Sequence, residues 1–193
     1  EVLTESEESD DESDDESDDE SDDESDDESV IIPDDDDIAE KDPTYYDTAS
    51  GYTWQVNYSP TAFTWNDAME HCNSLSYAGF DDWRLPSISD LRTLVSGCST
   101  TDSDGGCNVK DECLDYGTCR NEPDCNGCEY GKGPSQYKCY FSGIEGSCIP
   151  VWSSSTPPAP YSETHAWYMD FGLARISTDE KTRTGTYYAV CVR

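Results

Sequence analysis

Between Thr64 and Leu75, apolar residues fall at Trp65, Ala68, Met69, Cys72 and Leu75. That i, i+3, i+4, i+7 spacing puts them on one face of a helix. Thr64 suits its N-cap, Asp67 gives a weaker capping box, and Gly79 suits the exit. Cys72 then points inward. A second stripe, Ile88, Leu91, Leu94 and Val95, predicts a helix capped by Ser87, with Asp90 at its third position and Gly97 at its end. Pro86 keeps Leu85 out of helical geometry, so Trp83-Arg84-Leu85-Pro86 reads as the elbow between the helices. Trp83 and Leu85 are expected to anchor that elbow. Arg84 is then partly buried and needs acceptors, for which Asp81, Asp82 and the carbonyls of the closing strand are candidates.

Elsewhere the pattern is that of strands. Residues 51–58 are rich in β-formers, and Ser59-Pro60 breaks the run. Residues 149–154, around Trp152, predict a short strand. In 164–171 the positions His165, Trp167, Met169 and Phe171 alternate on one face. Residues 173–178 follow, and 187–192 close the chain after a turn at 179–185. The last three runs read as an antiparallel meander. Helices first and sheet later give an α+β class.

Two segments break this pattern. Residues 98–148 hold eight of the ten cysteines, namely Cys98, Cys107, Cys113, Cys119, Cys125, Cys128, Cys139 and Cys148, in a stretch poor in aliphatics. It reads as a disulfide-stapled insertion whose crosslinks replace a missing core. Residues 1–42 carry 25 acids and one base, and SDDE runs five times without interruption from Ser9 to Glu28. A period of four without apolar residues buries nothing, so this segment reads as a disordered, extended acidic spacer. Loose calcium binding and phosphorylation at its Ser-x-x-Glu sites are the sharper alternatives. The apolar run 30–33 is too short for a membrane span. The net charge of −33 therefore belongs mostly to the tail, which leaves about −9 for residues 43–193. Such a balance argues against a nucleic-acid partner. The chain begins at Glu1 without an apolar leader and reads as processed or trimmed. The dense, even cysteine count points to disulfides and an oxidising compartment, hence to an extracellular or cell-surface protein tethered by its tail.

Four segments together resemble the Lcl C-terminal-like domain family of bacterial surface proteins. They are YTWQ (52–55), TWNDAMEHCNSLSYAGFDDWRLPSISDLRTLV (64–95), VWSSS (151–155) and YYAVCVR (187–193). The resemblance covers most of residues 50–193. It implies a C-type-lectin-like fold: two helices, an antiparallel sheet and a long irregular loop. It also implies that the helix cysteine, Cys72, pairs with Cys191 in the last strand. Closing a loop of roughly 120 residues in this way stabilises by about 4–5 kcal/mol in the chain-entropy picture. The other eight would pair within the insertion, in an order that stays open. Some family members are described as adhesins for sulfated glycans. Here the insertion carries nine acids against four bases, Lys110, Arg120, Lys132 and Lys138, and would repel a polyanion. A neutral glycan or a protein partner fits better.

Several motifs are weaker than their spelling. Trp65-Asn66-Asp67 copies a lectin calcium tripeptide but sits at a helix start. Glu122-Pro123-Asp124 is only similar to a sugar-binding tripeptide. Asp102-Ser103-Asp104-Gly105 begins like a calcium loop, but Gly106 and Cys113 break the EF-hand pattern. A different calcium site using Asp102, Asp104, Asp111 or Glu112 remains an alternative to a solvated acidic loop. Cys125-Asn126-Gly127-Cys128 reads as structural disulfides, with zinc (helped by Cys113 and Cys119) or redox chemistry as rivals. His71, His165 and Ser153-Ser154-Ser155 form no recognisable catalytic set. The expected function is a non-enzymatic binding module. The expected ligand platform is the set of insertion aromatics Tyr116, Tyr130, Tyr137, Tyr140 and Phe141, which suit stacking on sugar faces unless they pack over the disulfides. The rival reading is a structural part of an extracellular assembly.

Overall fold

Thr64 and Ser87 start the two longer helices by side-chain capping. A computed structural model describes residues 43–121 and 123–193; the acidic segment 1–42 and Glu122 lie outside the described residues. Helix α1 spans Trp65–Asn73, and the Thr64 hydroxyl accepts the Asp67 N–H. Its stripe buries Ala68 and Cys72, while Trp65, Met69 and Leu75 pack partly buried beside them. The helix stops earlier than Gly79. The Ser74 hydroxyl donates to the Glu70 carbonyl and closes the last turn. Gly79, at φ +80°, instead shapes the Tyr77–Phe80 turn. Helix α2 spans Ile88–Thr93 and starts with a reciprocal Ser87–Asp90 capping box. It ends before Gly97, with Leu94 and Val95 continuing as a turn onto the Leu91 and Arg92 carbonyls.

Two antiparallel sheets complete the α+β fold. Strands β1 (Thr44–Tyr46) and β2 (Thr53–Gln55) form a pair, so only the middle of the expected 51–58 strand is laddered. Strands β3 (Pro150–Trp152), β4 (His165–Asp170) and β5 (Arg175–Glu180) form a meander in that order. Strand β4 is buried on both faces, which corrects the one-sided reading of its alternation. Trp167 and Met169 join Trp54, Ile88, Leu91 and Val190 on one side. Ala166 and Tyr168 join Cys72, Trp83, Leu85 and Trp152 on the other. The first side is covered by α2 and the insertion, the second by α1 and the elbow, so residues 166–169 of β4 are buried on both faces.

The last segment, 187–193, is not the third strand of a meander with β5. It runs between the two sheets. On one side its carbonyls accept N–H groups from Thr53, Gln55, Ser59 and Phe63. On the other it pairs with Arg84, Pro150 and Trp152. Its residues 189–192 are all buried, and β5 is too exposed an edge to cover such a run. Cys191 within it is bonded to Cys72 of α1.

The elbow meets this segment directly. Arg84 and Val192 exchange backbone hydrogen bonds at 2.9 and 3.0 Å. Trp83 and Leu85 are buried, and the Pro86 carbonyl accepts the Ser154 N–H. The Arg84 guanidinium does not reach Asp81 or Asp82. Its side chain is 42% exposed and reaches forward to Asp90, Nη1 to Oδ2 2.6 Å, while lying 5.5 Å from the Tyr52 ring centre. Asp82 is taken by Arg193, whose guanidinium also lies 3.6 Å from the Phe80 ring centre. The arginine that is buried is Arg92, 1% exposed on α2. It donates to the carbonyls of Thr101, Asp102, Gly105 and Val109, and so gathers the first loop of the insertion around one side chain. Burial lowers its pKa, offset in part by the carboxylates of Asp102 and Asp104.

Two outcomes follow for stability. Arg92→Met should cost roughly 2–4 kcal/mol in denaturant melts, because it strands buried carbonyls rather than one exposed pair. Arg84→Leu should cost less, about 1 kcal/mol. Burial works to raise the Asp90 pKa, but hydrogen bonds from Arg84 and the Ser87 N–H outweigh it and hold the carboxyl below its ordinary range. A depressed folded pKa adds stability above the unfolded value of about 4 and loses it as pH falls further. Arg84→Leu should therefore flatten the fall in stability below about pH 4, which a series of melts across that range would check.

Candidate binding surface

The insertion holds itself with four disulfides and docks on the sheet with aromatics. The bonds are Cys98–Cys128, Cys107–Cys125, Cys113–Cys119 and Cys139–Cys148. The two cysteines of the C-x-x-C run thus bond elsewhere rather than to each other, and all ten cysteines are in disulfides. Gly127 is required between them. Its φ is +77°, and a Cβ there would collide with the Leu173 carbonyl.

Five insertion aromatics were expected on the surface, and the structure divides them. Tyr140 and Phe141 are each 3% exposed and belong to the core, which corrects their assignment as exposed stacking groups. Tyr140 donates its hydroxyl to the Glu129 carbonyl, and Phe141 meets Phe171 edge-on at 5.4 Å. Tyr116, at the start of a one-turn helix α3 (Tyr116–Cys119), is half-buried. It stacks on Trp167 with centroids 5.5 Å apart and planes 10° apart. With Val109 and Ile144, these residues give the insertion a share of the main core, so the crosslinks supplement a core rather than replace one. Tyr130 and Tyr137 are the two that stand out, at 71% and 54% exposed. Tyr137 borders a groove of about 490 Å³ lined also by Ser135, Gln136, Phe141, Gly143, Ile144 and Glu145. A smaller hollow of about 320 Å³ shares Ser135, Phe141, Gly143 and Ile144 and extends the groove to Ser96 and Pro134. The Tyr45 ring packs so tightly on Gly143 that no side chain fits there.

The acidic candidates for calcium are not brought together. Among the described residues, no three His, Cys, Asp or Glu side chains gather as a metal would need. Asp111 instead accepts from the Ser155 hydroxyl at 2.7 Å and the Ser89 N–H at 3.4 Å, locking the insertion to α2 and to the loop after β3. The Asp102 carboxylate folds back on the Asp104 N–H, and Asp104 and Glu112 face solvent. Glu122 of the sugar-motif lookalike lies outside the described residues, and Asp124 accepts from the Asn121 amide. Trp65 and Asp67 of the other lookalike belong to α1.

The candidates for catalysis are engaged structurally. The Ser153 hydroxyl is buried and donates to the Trp167 carbonyl. His71 lies against Phe63, with burial lowering its pKa. His165 is bonded to its neighbour Thr164.

Tyr161 has no counterpart in the sequence reading. Its ring is 45% exposed and lies 5.4 Å from Tyr116 and 5.6 Å from His165, at the open end of a row that begins with Trp167. The only signal in the chain is its position after the proline-rich 157–160 loop. Beside His165 opens a second cleft, of about 500 Å³, between the start of α1 and the β4–β5 hairpin.

An α+β domain with antiparallel sheets and five disulfides is thus defined. Residues 43–193 match the Lcl C-terminal domain family, and the chain belongs to that family. No curated protein matches it. Among the described residues, no helix is long and apolar enough to cross a membrane.

The docking role of Tyr116 is testable. Tyr116→Ala should cost roughly 1–2 kcal/mol, shift tryptophan emission to the red as Trp167 gains water, and speed proteolysis within residues 99–147. Unchanged emission and cleavage would show that the stack does not hold the insertion.

Proposed function

We propose that this protein is an extracellular or surface-tethered, non-enzymatic binding module that takes a neutral glycan on its insertion. The observation that carries the reading is the groove beside Tyr137. It offers an exposed ring, an amide and hydroxyls, with Glu145 as its one charged lining residue. Sugars are held by such mixtures of a π-face and directional polar groups. The Cys139–Cys148 bond and the buried Phe141 beneath the groove tie the platform to the core, which lowers the ordering cost of binding. The insertion's excess of acids favours a neutral ligand over a sulfated one. A C-type-lectin-like relation accords with two helices, antiparallel sheets and a long loop closed by a helix-to-terminus disulfide. By composition, the SDDE repeat suits an acidic spacer. The alternative, a subunit of an extracellular assembly, draws support from Leu114 of the insertion, an aliphatic side chain 89% exposed. Sedimentation of the native material separates the two.

Excising the insertion would be a poor test, because Val109, Tyr140 and Phe141 belong to the core. The paired change Tyr130→Ala with Tyr137→Ala removes only exposed rings. On an array holding neutral and sulfated glycans, it should lower binding to neutral glycans by roughly tenfold or more, with Tm unchanged. Full binding by the folded double variant would refute the site.

A further inference from the structure

The second cleft lies outside the insertion and differs in chemistry. Its walls come from Trp65 and Asn66 at the start of α1, from Glu163, and from His165, Glu180 and Lys181 of the β4–β5 hairpin. His165 and Glu180 are direct partners across that hairpin, so their side chains share a face. Glu163 and Glu180 are exposed.

One group already present shows what this place accepts. Lys181 lays its ammonium 4.2 Å from the Trp65 ring centre and donates to the Ser162 carbonyl at 2.8 Å. The Trp65 ring is itself held, since its Nε1 donates to the Ser153 carbonyl at 2.8 Å. An alkylammonium is thus bound here by an indole face and a main-chain carbonyl, the pairing by which proteins recognise such cations. Lys181 directs its charge to those two groups. The remaining space is bordered by two carboxylates, with the exposed Tyr161 ring against His165.

We propose that this cleft is a second binding site, one for the lysine side chain of a basic peptide segment on a protein partner. The incoming ammonium meets Glu163 and Glu180, and its alkyl stem lies between Asn66 and Thr164 on the cleft wall. Charge favours such a partner over the whole molecule, since the domain carries about −9 and the full chain −33. The site is independent of the glycan reading of the insertion.

Tetralysine amide is the probe, with its Nε-acetylated form as the neutral control, titrated into the full chain at physiological salt. The readout is the Trp65 indole N–H and the His165 ring signals by NMR, which report the cleft and not the acidic tail. Saturable shifts with tetralysine, absent with the acetylated form, are expected. The double change Glu163→Gln with Glu180→Gln should weaken this binding by roughly fivefold or more. Tyr130→Ala with Tyr137→Ala should leave it unchanged, so failure of the glycan site and of this one are distinguishable. Three results would overturn the proposal: tetralysine that moves only tail signals, equal binding of the acetylated peptide, or occupancy by glucosamine without any by tetralysine.

Discussion

The fold depends on the backbone of residues 187–193 being hydrogen-bonded on both sides. One row of bonds reaches Thr53, Gln55, Ser59 and Phe63, and the other reaches Arg84, Pro150 and Trp152. The two-stranded β1–β2 pair is too narrow to stand alone. The final segment joins it to the β3–β4–β5 meander in one hydrogen-bonded body. The Cys72–Cys191 bond adds α1 to the same body. Because this segment follows both sheets in the sequence, neither has its full set of partners until residues 187–193 are in place.

A second centre of organisation is Arg92. Four main-chain carbonyls of the 101–109 loop converge on its guanidinium, and the Asp111 carboxylate fastens the next turn to Ser89 and Ser155. The Cys107–Cys125 and Cys98–Cys128 bonds then tie that loop to the run that passes Leu173 and Gly172. Tyr130 sits at the end of this chain of contacts, whereas the Tyr137 segment is tied by the Cys139–Cys148 bond and by the Tyr140 N–H on the Phe171 carbonyl. Of the acids that look like metal ligands, Asp102 and Asp111 use their carboxylates within this loop, while Asp104 and Glu112 turn outward.

Local signals were legible where the interaction is local. Thr64 and Ser87 cap as their spacing suggests, and Pro86 with Trp83 and Leu85 makes the elbow. What failed mostly involved distant partners. Arg84 chose Asp90, which the capping box had already placed within reach, while Asp82 was claimed by Arg193 more than a hundred positions away. Tyr140 and Phe141 look no different in the chain from Tyr130 and Tyr137. Their burial is decided by Phe171 and Glu129, whose approach no periodicity announces. The two-sided burial of β4 was hidden because its second face is covered by segments on both sides of it in sequence. Tyr161 was missed for the same reason, since its meaning comes from Tyr116, supplied by the insertion.

The Arg92 clamp has a consequence for how this surface can vary. A guanidinium that holds only peptide carbonyls is indifferent to which side chains those peptides carry. Ser103 and Asp104 can be exchanged for other residues while the path of the loop persists, provided that buried Thr101 and Val109 and the cystine partners remain. The scaffold therefore separates the fixing of a loop from its lettering. Recognition could be rewritten at the rim without renegotiating the architecture beneath it.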